Sequence, residues 1–464
     1  MPQRNSISEA AVKTEKAPLC LPEWKVAGIF SSHMVLQRDL PIRVFGWGKG
    51  SGAITFLGET RNITAGEKGW SVLFPALPAG GPYEMTLRLD GETRTLRDIL
   101  IGEVWLAGGQ SNMEALLKDM AADPGMEKDI PQVRCITLPH PTAPDLPEIW
   151  RPCTWEAAQA MTAVGYAFAR CLHETLAVPV GIVSCNQGAS RVESWTDPAL
   201  LEEAGLRLPP EDTHEDEKVF AFNPPGYLYE NMLLKVAPYG IRGVIWYQGE
   251  SNRGCREADG YAARFLLMEQ NWRRLWDNSR LPFLTVQLAP FGDVPHHGVE
   301  TWPILREQQL AAADADPFTA MVTIGDVGDR TDIHPRRKWP VGLRLALAAR
   351  TMVYGERLEY CGPVVREMRV EGGRAALRFD HADSGLRLDG PLTDLVLLDQ
   401  EGAVYPGQAR IREDGLLEVW NDQLPRPAEV RLGYANWYVM PLFNGDGLPA
   451  SPFRIREAAK EADV

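Results

Sequence analysis

Residues 99–113 read ILIGEVWLAGGQSNM. An apolar run of strand character ends in two glycines, then Gln110, Ser111 and Asn112. EALLKDMAA follows with helical spacing, which predicts a helix over 112–122. A strand-to-helix turn needs one glycine and one cap, and this stretch holds more polar groups than that. Ser111 fits a helix N-cap, whose hydroxyl accepts an orphan backbone N–H. It equally fits a nucleophile held at the top of a sheet, where backbone N–H groups and the helix dipole face a developing oxyanion. The stretch lacks the GxSxG elbow of ordinary α/β-hydrolases.

Outward from this point the chain alternates. Helical AAQAMTAVGYAFARCLHETL (157–176) precedes VPVGIVSCN, and GIRGVIWYQ precedes DGYAARFLLMEQNWRRLWDN. LPFLTVQLAPF, REQQLAAADA, MVTIGDVG and KWPVGLRLALAARTMVYG continue the series. Near-continuous apolar strands between amphipathic helices predict a parallel α/β sheet covered on both faces, with sites at the carboxyl ends of its strands. On either side the period changes to two. IRVFGW, AITFLG, WSVLFPAL and YEMTLRLDG lie before it; VVREMRV, RAALRFD, LTDLVLLD, GLLEVWN and AEVRLGYANWYV lie after it. The expected organisation is a polar tail (1–20), an N-terminal β-sandwich domain (21–98), an α/β domain (99–357) and a C-terminal β domain (358–464). The acidic run 209–218 is expected to be a solvated loop.

The 464 residues are too many for one ordinary core. With 45% hydrophobic and 24% charged residues, the balance is that of a globular chain. The net charge of −14 argues against nucleic acid, which is bound through basic surface, and against an anionic membrane surface. No run approaches the roughly 20 apolar residues that span a bilayer. The first 20 residues contain no apolar h-region, so the expected location is cytoplasmic. Seven scattered cysteines without a CxxC pair give neither zinc spacing nor a disulfide framework. The oligomeric state is left open.

Three further polar clusters end predicted strands. SCNQGASRVESW (184–195) places Gly188 where the backbone can approach a ligand and offer a second N–H. VIWYQGESN (244–252) ends in Gln248, Gly249, Glu250, Ser251 and Asn252, and side-chain amides are neutral oxyanion donors. IGDVGDRTDIHP (324–335) carries His334 among Asp326, Asp329 and Asp332. A general base needs a partner on its second ring nitrogen, and these carboxylates are candidates. Ser, Gly, amide, then Asp and His on successive strand ends make an acyl-transfer site in chain order.

With LAGGQSNM, GxxxxESW after Gly188, WYQGESN and DIHP, the chain resembles the SGNH (GDSL-like) hydrolase superfamily, and within it the sialate O-acetylesterase family. MVLQRDLPIRVFGWG (34–48) resembles that family's N-terminal sandwich, and NGDGLPASPFR (444–454) its C-terminal signature. The resemblance implies a flavodoxin-like SGNH domain and a serine-dependent carbohydrate O-acetylesterase that needs no cofactor or metal. It implies Ser111 as nucleophile, His334 as base, and the N–H groups of Ser111 and Gly188 as oxyanion donors. The superfamily's third donor is the Asn of a Gly-x-Asn pattern, but here that position is Ser251, so Gln248 or Asn252 must serve, with Gln248 favoured. The superfamily's Asp stands three residues before its His; that position is Thr331. Asp332 is the natural substitute, Asp329 the next, and a backbone carbonyl the third choice. Gln187 replaces a tryptophan the family often carries before the oxyanion glycine.

Glu250, Arg191, Trp195 and Asn252 are candidate sugar-binding residues, and a buried salt-bridged loop packed on Trp195 explains Arg191 and Glu193 equally well. Arg191 and Arg253 are candidates for a sialic acid carboxylate. The expected partner is an O-acetylated carbohydrate: a 9-O-acetylated sialic acid, or alternatively an acetylated xylan or mannan. A carbohydrate-binding protein on a degenerate hydrolase scaffold, and a glycosidase pairing Glu250 with Asp332, are the competing classes.

Overall fold

The long strand Glu92–Gly109 is the spine of the molecule. The computed structural model describes residues 25–48, 50–64, 69–89, 91–121, 125–141, 143–144, 147–208, 220–292 and 299–457; the expected tail and the acidic run 209–218 lie outside them. The first half of the spine pairs antiparallel with Gly80–Leu89 and parallel with Val35–Gln37. Its second half pairs parallel with Val180–Asn186 on one side and Gly243–Tyr247 on the other. The expected division between residues 98 and 99 falls inside this strand. One apolar core runs across it, from Ala27 and Val44 through Ile101 and Ile245 to Leu345.

The α/β part of the sheet runs in the order Arg151–Cys153, Ile130–Thr137, Val180–Asn186, the spine, Gly243–Tyr247, Phe283–Val286, Thr319–Val322. All of these are parallel except the edge strand Arg151–Cys153. Register explains why both faces are covered. Trp105 lies opposite Gly243, and Gly108 lies opposite Trp246, three residues further on. An odd step along a strand reverses the face. Trp105 therefore meets Phe168 of the helix Ala163–Leu176 on one side, while Trp246 meets Trp272 of the helix Tyr261–Leu275 on the other. Trp339–Met352 packs with the first helix through Gly342, where a Cβ would lie 2.5 Å from the Ala167 Cβ.

The helix expected over 112–122 is one turn, Ser111–Glu114, followed by a 3-10 turn at Leu117–Asp119. Propensity loses to tertiary pairing here. The Leu117 N–H donates to the Met161 carbonyl, and the Ala163 N–H donates to that of Ala115, so the segment is held extended against residues 161–163.

After residue 363 two antiparallel four-stranded sheets share a second core. Met368, Leu377 and Val419 come from one sheet, and Leu397, Val430 and Phe453 from the other. Arg306, on the helix Trp302–Ala315, joins this unit to the α/β sheet. It is fully buried and donates to the carbonyls of Leu288, Ala289, Ala435 and Asn436, with its guanidinium 4.9 Å from the Tyr438 ring centre. Arg306→Met keeps the apolar stem and strands these carbonyls. We expect it to lower unfolding free energy by about 2–4 kcal/mol, read as an earlier urea midpoint by tryptophan fluorescence.

Candidate active site

Ser111 opens the single helical turn directly beyond the spine. His334 lies on the segment between the strand Thr319–Val322 and the helix Trp339–Met352. Though 223 residues apart, they meet: His334 Nε2 is 2.8 Å from Ser111 Oγ. For Nε2 to accept the serine proton, the neutral ring must carry its own proton on Nδ1. Burial, then the neighbouring Lys338, lowers the His334 pKa, while Asp332 and Glu114 oppose them. The imidazole is therefore kept neutral and available as a base at lower pH than an exposed histidine.

The expected acid does not reach the ring. Asp332 Oδ1 is 3.7 Å from Nδ1, beyond hydrogen-bond range, and instead accepts the His334 backbone N–H at 2.8 Å. Asp329 shapes the loop: its Oδ1 accepts the Thr331 and Asp332 N–H groups and the Thr331 hydroxyl. Asp326 chelates Arg344. Asp329 and Asp332 thus hold the backbone of the loop around His334 rather than its imidazole.

Gly188 sits beside Ser111, and a Cβ on it would lie 3.6 Å from the Ser111 Cβ. Its N–H donates to Glu114 Oε2 at 2.6 Å. A side-chain carboxylate thus occupies this donor. His140 Nδ1 stands 3.7 Å from the other Glu114 oxygen. Glu114 and His140 were not singled out in the sequence, although Glu114 directly follows the quoted motif.

Gln248 cannot be the third donor in this arrangement. It is fully buried; its amide donates to the Ser190 carbonyl (3.0 Å) and Asn252 Oδ1 (2.8 Å), and its Oε1 accepts the Tyr261 hydroxyl. Asn252 is equally committed, donating to Glu193 and accepting from the Val192 N–H. Both amides brace the loops beneath the site.

The sugar-binding candidates are also corrected by burial. Trp195 is wholly inside, edge-on to Trp246. Arg191 is 2% exposed and pairs with Glu257 at 2.6 Å, within a buried cluster that includes Glu193 and Arg264. Burial alone would raise the Glu193 pKa, but Arg191, Arg264 and Asn252 outweigh it and lower it. Glu250 is buried too, with Oε1 accepting from Asn112 Nδ2 at 2.5 Å, so it is not the open-cleft carboxylate that a glycosidase pair needs. No group of side chains suited to a metal ion occurs among the described residues.

The geometry now on the page can be set beside known proteins. The family model described as carbohydrate esterase, sialic acid-specific acetylesterase matches residues 101–351, more than half of the chain. Sialate O-acetylesterases of Homo sapiens and Pongo abelii are each 27% identical over 406 residues, covering 77% of this chain and 76% of theirs. A solved carbohydrate acetylesterase of Xanthomonas citri is 36% identical, covers 93% of this chain and 99% of its own, and superposes with a TM-score of 0.82. The chain belongs to this sialic acid-specific acetylesterase family of carbohydrate esterases and is a carbohydrate O-acetylesterase.

Proposed function

We propose that the chain removes O-acetyl groups from sugars by an SGNH-type mechanism in which Ser111 is the nucleophile and His334 the general base. The observation that carries this reading is the 2.8 Å contact between Ser111 Oγ and His334 Nε2 at the carboxyl ends of the parallel strands. Ser111 Oγ attacks the acetyl carbonyl carbon as its proton passes to Nε2. The carbonyl oxygen becomes an oxyanion facing the N–H groups of Ser111 and Gly188. Collapse breaks the bond to the sugar oxygen, which takes the proton from His334. Water, deprotonated by His334, then releases acetate from Ser111.

Gly188 can serve only after Glu114 leaves its N–H, and His140 lies 3.7 Å from the other carboxylate oxygen.

For the substrate, we propose an O-acetylated sialic acid. The family match and the names of the relatives support it, and three exposed arginines, Arg330, Arg336 and Arg337, bracket His334 with charge suited to a carboxylate. The burial of Arg191 favours the second reading, a neutral acetylated xylan or mannan.

Ser111→Ala should lower kcat on p-nitrophenyl acetate by about five orders of magnitude; retention of more than a hundredth of the rate would end the serine mechanism. Glu114→Ala should raise kcat/KM about threefold or more, because a charged competitor for the Gly188 N–H is gone. A fall instead would make Glu114 a substrate contact. Acetate release from 9-O-acetylated sialic acid and from acetylated xylan, measured side by side, should favour the first by at least about tenfold, a difference of 1.4 kcal/mol; the reverse order selects the neutral polysaccharide.

A further inference from the structure

Beneath Ser111 and His334 lies a second polar layer that the acyl-transfer steps do not use. Asn112, next in the chain to the nucleophile, is 1% exposed. Its Nδ2 donates to Glu250 Oε1 at 2.5 Å and to the Ile333 carbonyl at 3.1 Å. Its Oδ1 accepts from Lys338 Nζ. Lys338 is also 1% exposed, and its ammonium lies over the Tyr247 ring, 5.5 Å from the centre. One side chain thereby ties three loops together: the turn that carries Ser111, the end of the strand Gly243–Tyr247, and the segment that carries His334, which it grips at the residue before the base.

A buried lysine is costly, and one without a carboxylate in direct contact is more so. Glu250 is linked to Lys338 through Asn112, and its Oε2 is buried without a hydrogen-bond partner among the described residues. A buried polar array of this kind persists where the position of its members matters. The base above it lacks the usual support among the described residues, since Asp332 stands 3.7 Å from Nδ1, beyond hydrogen-bond range.

We propose that Asn112, Lys338 and Glu250 are positioning residues for the catalytic pair: Asn112 fixes the His334 segment through Ile333, held in that pose by Glu250 and Lys338, and Lys338 brings to the same array a positive charge that opposes protonation of the imidazole. This inference rests on the Ser111–His334 reading above.

The charges around these groups set the sign of the effect. His334 faces Asp332 on its own loop, Glu114 from the nucleophile turn, and Lys338. Lys338 faces Glu250, Asp332 and the Tyr247 ring; Glu250 also faces Arg253 and Tyr247. Burial pushes Lys338 down to about 7 and pushes Glu250 up, so both move toward their neutral forms. Below pH 7 the lysine is mostly charged and opposes protonation of His334. Removing that charge lets the imidazole keep its proton to higher pH, and activity on the acid side is then lost earlier.

The test compares full-chain wild type with Lys338→Gln, which keeps an N–H donor for Asn112 without the charge. Profiles of kcat/KM against pH on p-nitrophenyl acetate, together with melting temperatures, give the readout. We expect the acid limb of Lys338→Gln to move to higher pH and kcat to fall about tenfold, with KM within twofold. A lysine that only filled space would lower the melting temperature and leave the limb in place, and an unmoved limb in a folded variant overturns the proposal. If Lys338→Gln does not fold, Lys338→Met is compared with wild type by NMR titration of the His334 ring: a midpoint above that of wild type supports the proposal, and an unchanged midpoint overturns it. Ser111→Ala separates the two readings: if it stays active, the catalytic pair itself is wrong, whereas an inactive Ser111→Ala beside an unmoved limb defeats this inference alone.

Discussion

Gly108 and Gly109 have no room for side chains, and the site follows from that. A Cβ on Gly108 would lie 2.8 Å from the Trp246 ring, and one on Gly109 2.1 Å from the Tyr247 carbonyl oxygen, with Gly109 already at φ +130°. The spine and the strand Gly243–Tyr247 therefore lie close where the chain turns out of the sheet. Gly109 bends the backbone in a conformation that L side chains rarely adopt. Its carbonyl takes the Gln187 N–H and the Ser190 hydroxyl. The Gln110 N–H returns to the Tyr247 carbonyl. Three strand ends are thus sewn together around one turn, and Ser111 is the next residue out.

What surrounds that turn is mostly support. Amide hydrogens are few, and each buried one has to be placed. Gln248 and Asn252 place theirs below the site, and Asn112 places its own between two loops. Their number explains why the motifs contain so many Asn and Gln residues. Most are braces for strand ends that would otherwise carry unpaired carbonyls and carboxylates. The reactive groups are then positioned by a bonded layer, and the open face is left to Ser111, His334, Gly188 and Glu114.

The legible part of the sequence was whatever depends on period or on chain order. Strands and helices of the α/β unit stand out because apolar residues repeat at the right spacing. Ser111 and His334 stand out because the polar clusters follow strand ends in succession. The illegible part depends on direction. WYQGESN offers two amides as oxyanion donors, and nothing in the letters says that Tyr261 and Ser190 hold Gln248 inward. DIHP offers an aspartate two residues from the base, and only the loop's hydrogen bonds show Asp332 turned onto the backbone. EALLKDMAA is helical in propensity, and its pairing with residues 161–163 comes from far along the chain. Lys338 carries no local mark at all, because a lysine after RR at a helix start looks solvated.

The C-terminal unit belongs to this support. The Phe291 N–H donates to the Asn436 carbonyl, and the Gly292 N–H to that of Arg330, four residues before the base. On the same loop, a Cβ on Gly328 would lie 2.3 Å from the Pro290 carbonyl oxygen, and one on Gly325 2.9 Å from the Tyr438 hydroxyl. The segment Gly325–His334 is therefore pressed between residues 290–292 and the loop 434–440, and Arg306 fixes both sides of that contact. With Asp332 and Asp329 turned onto the backbone, the proposed base gets its position from the loop rather than from these carboxylates. A rigid loop needs a rigid floor, and a second β unit docked through a buried arginine supplies one.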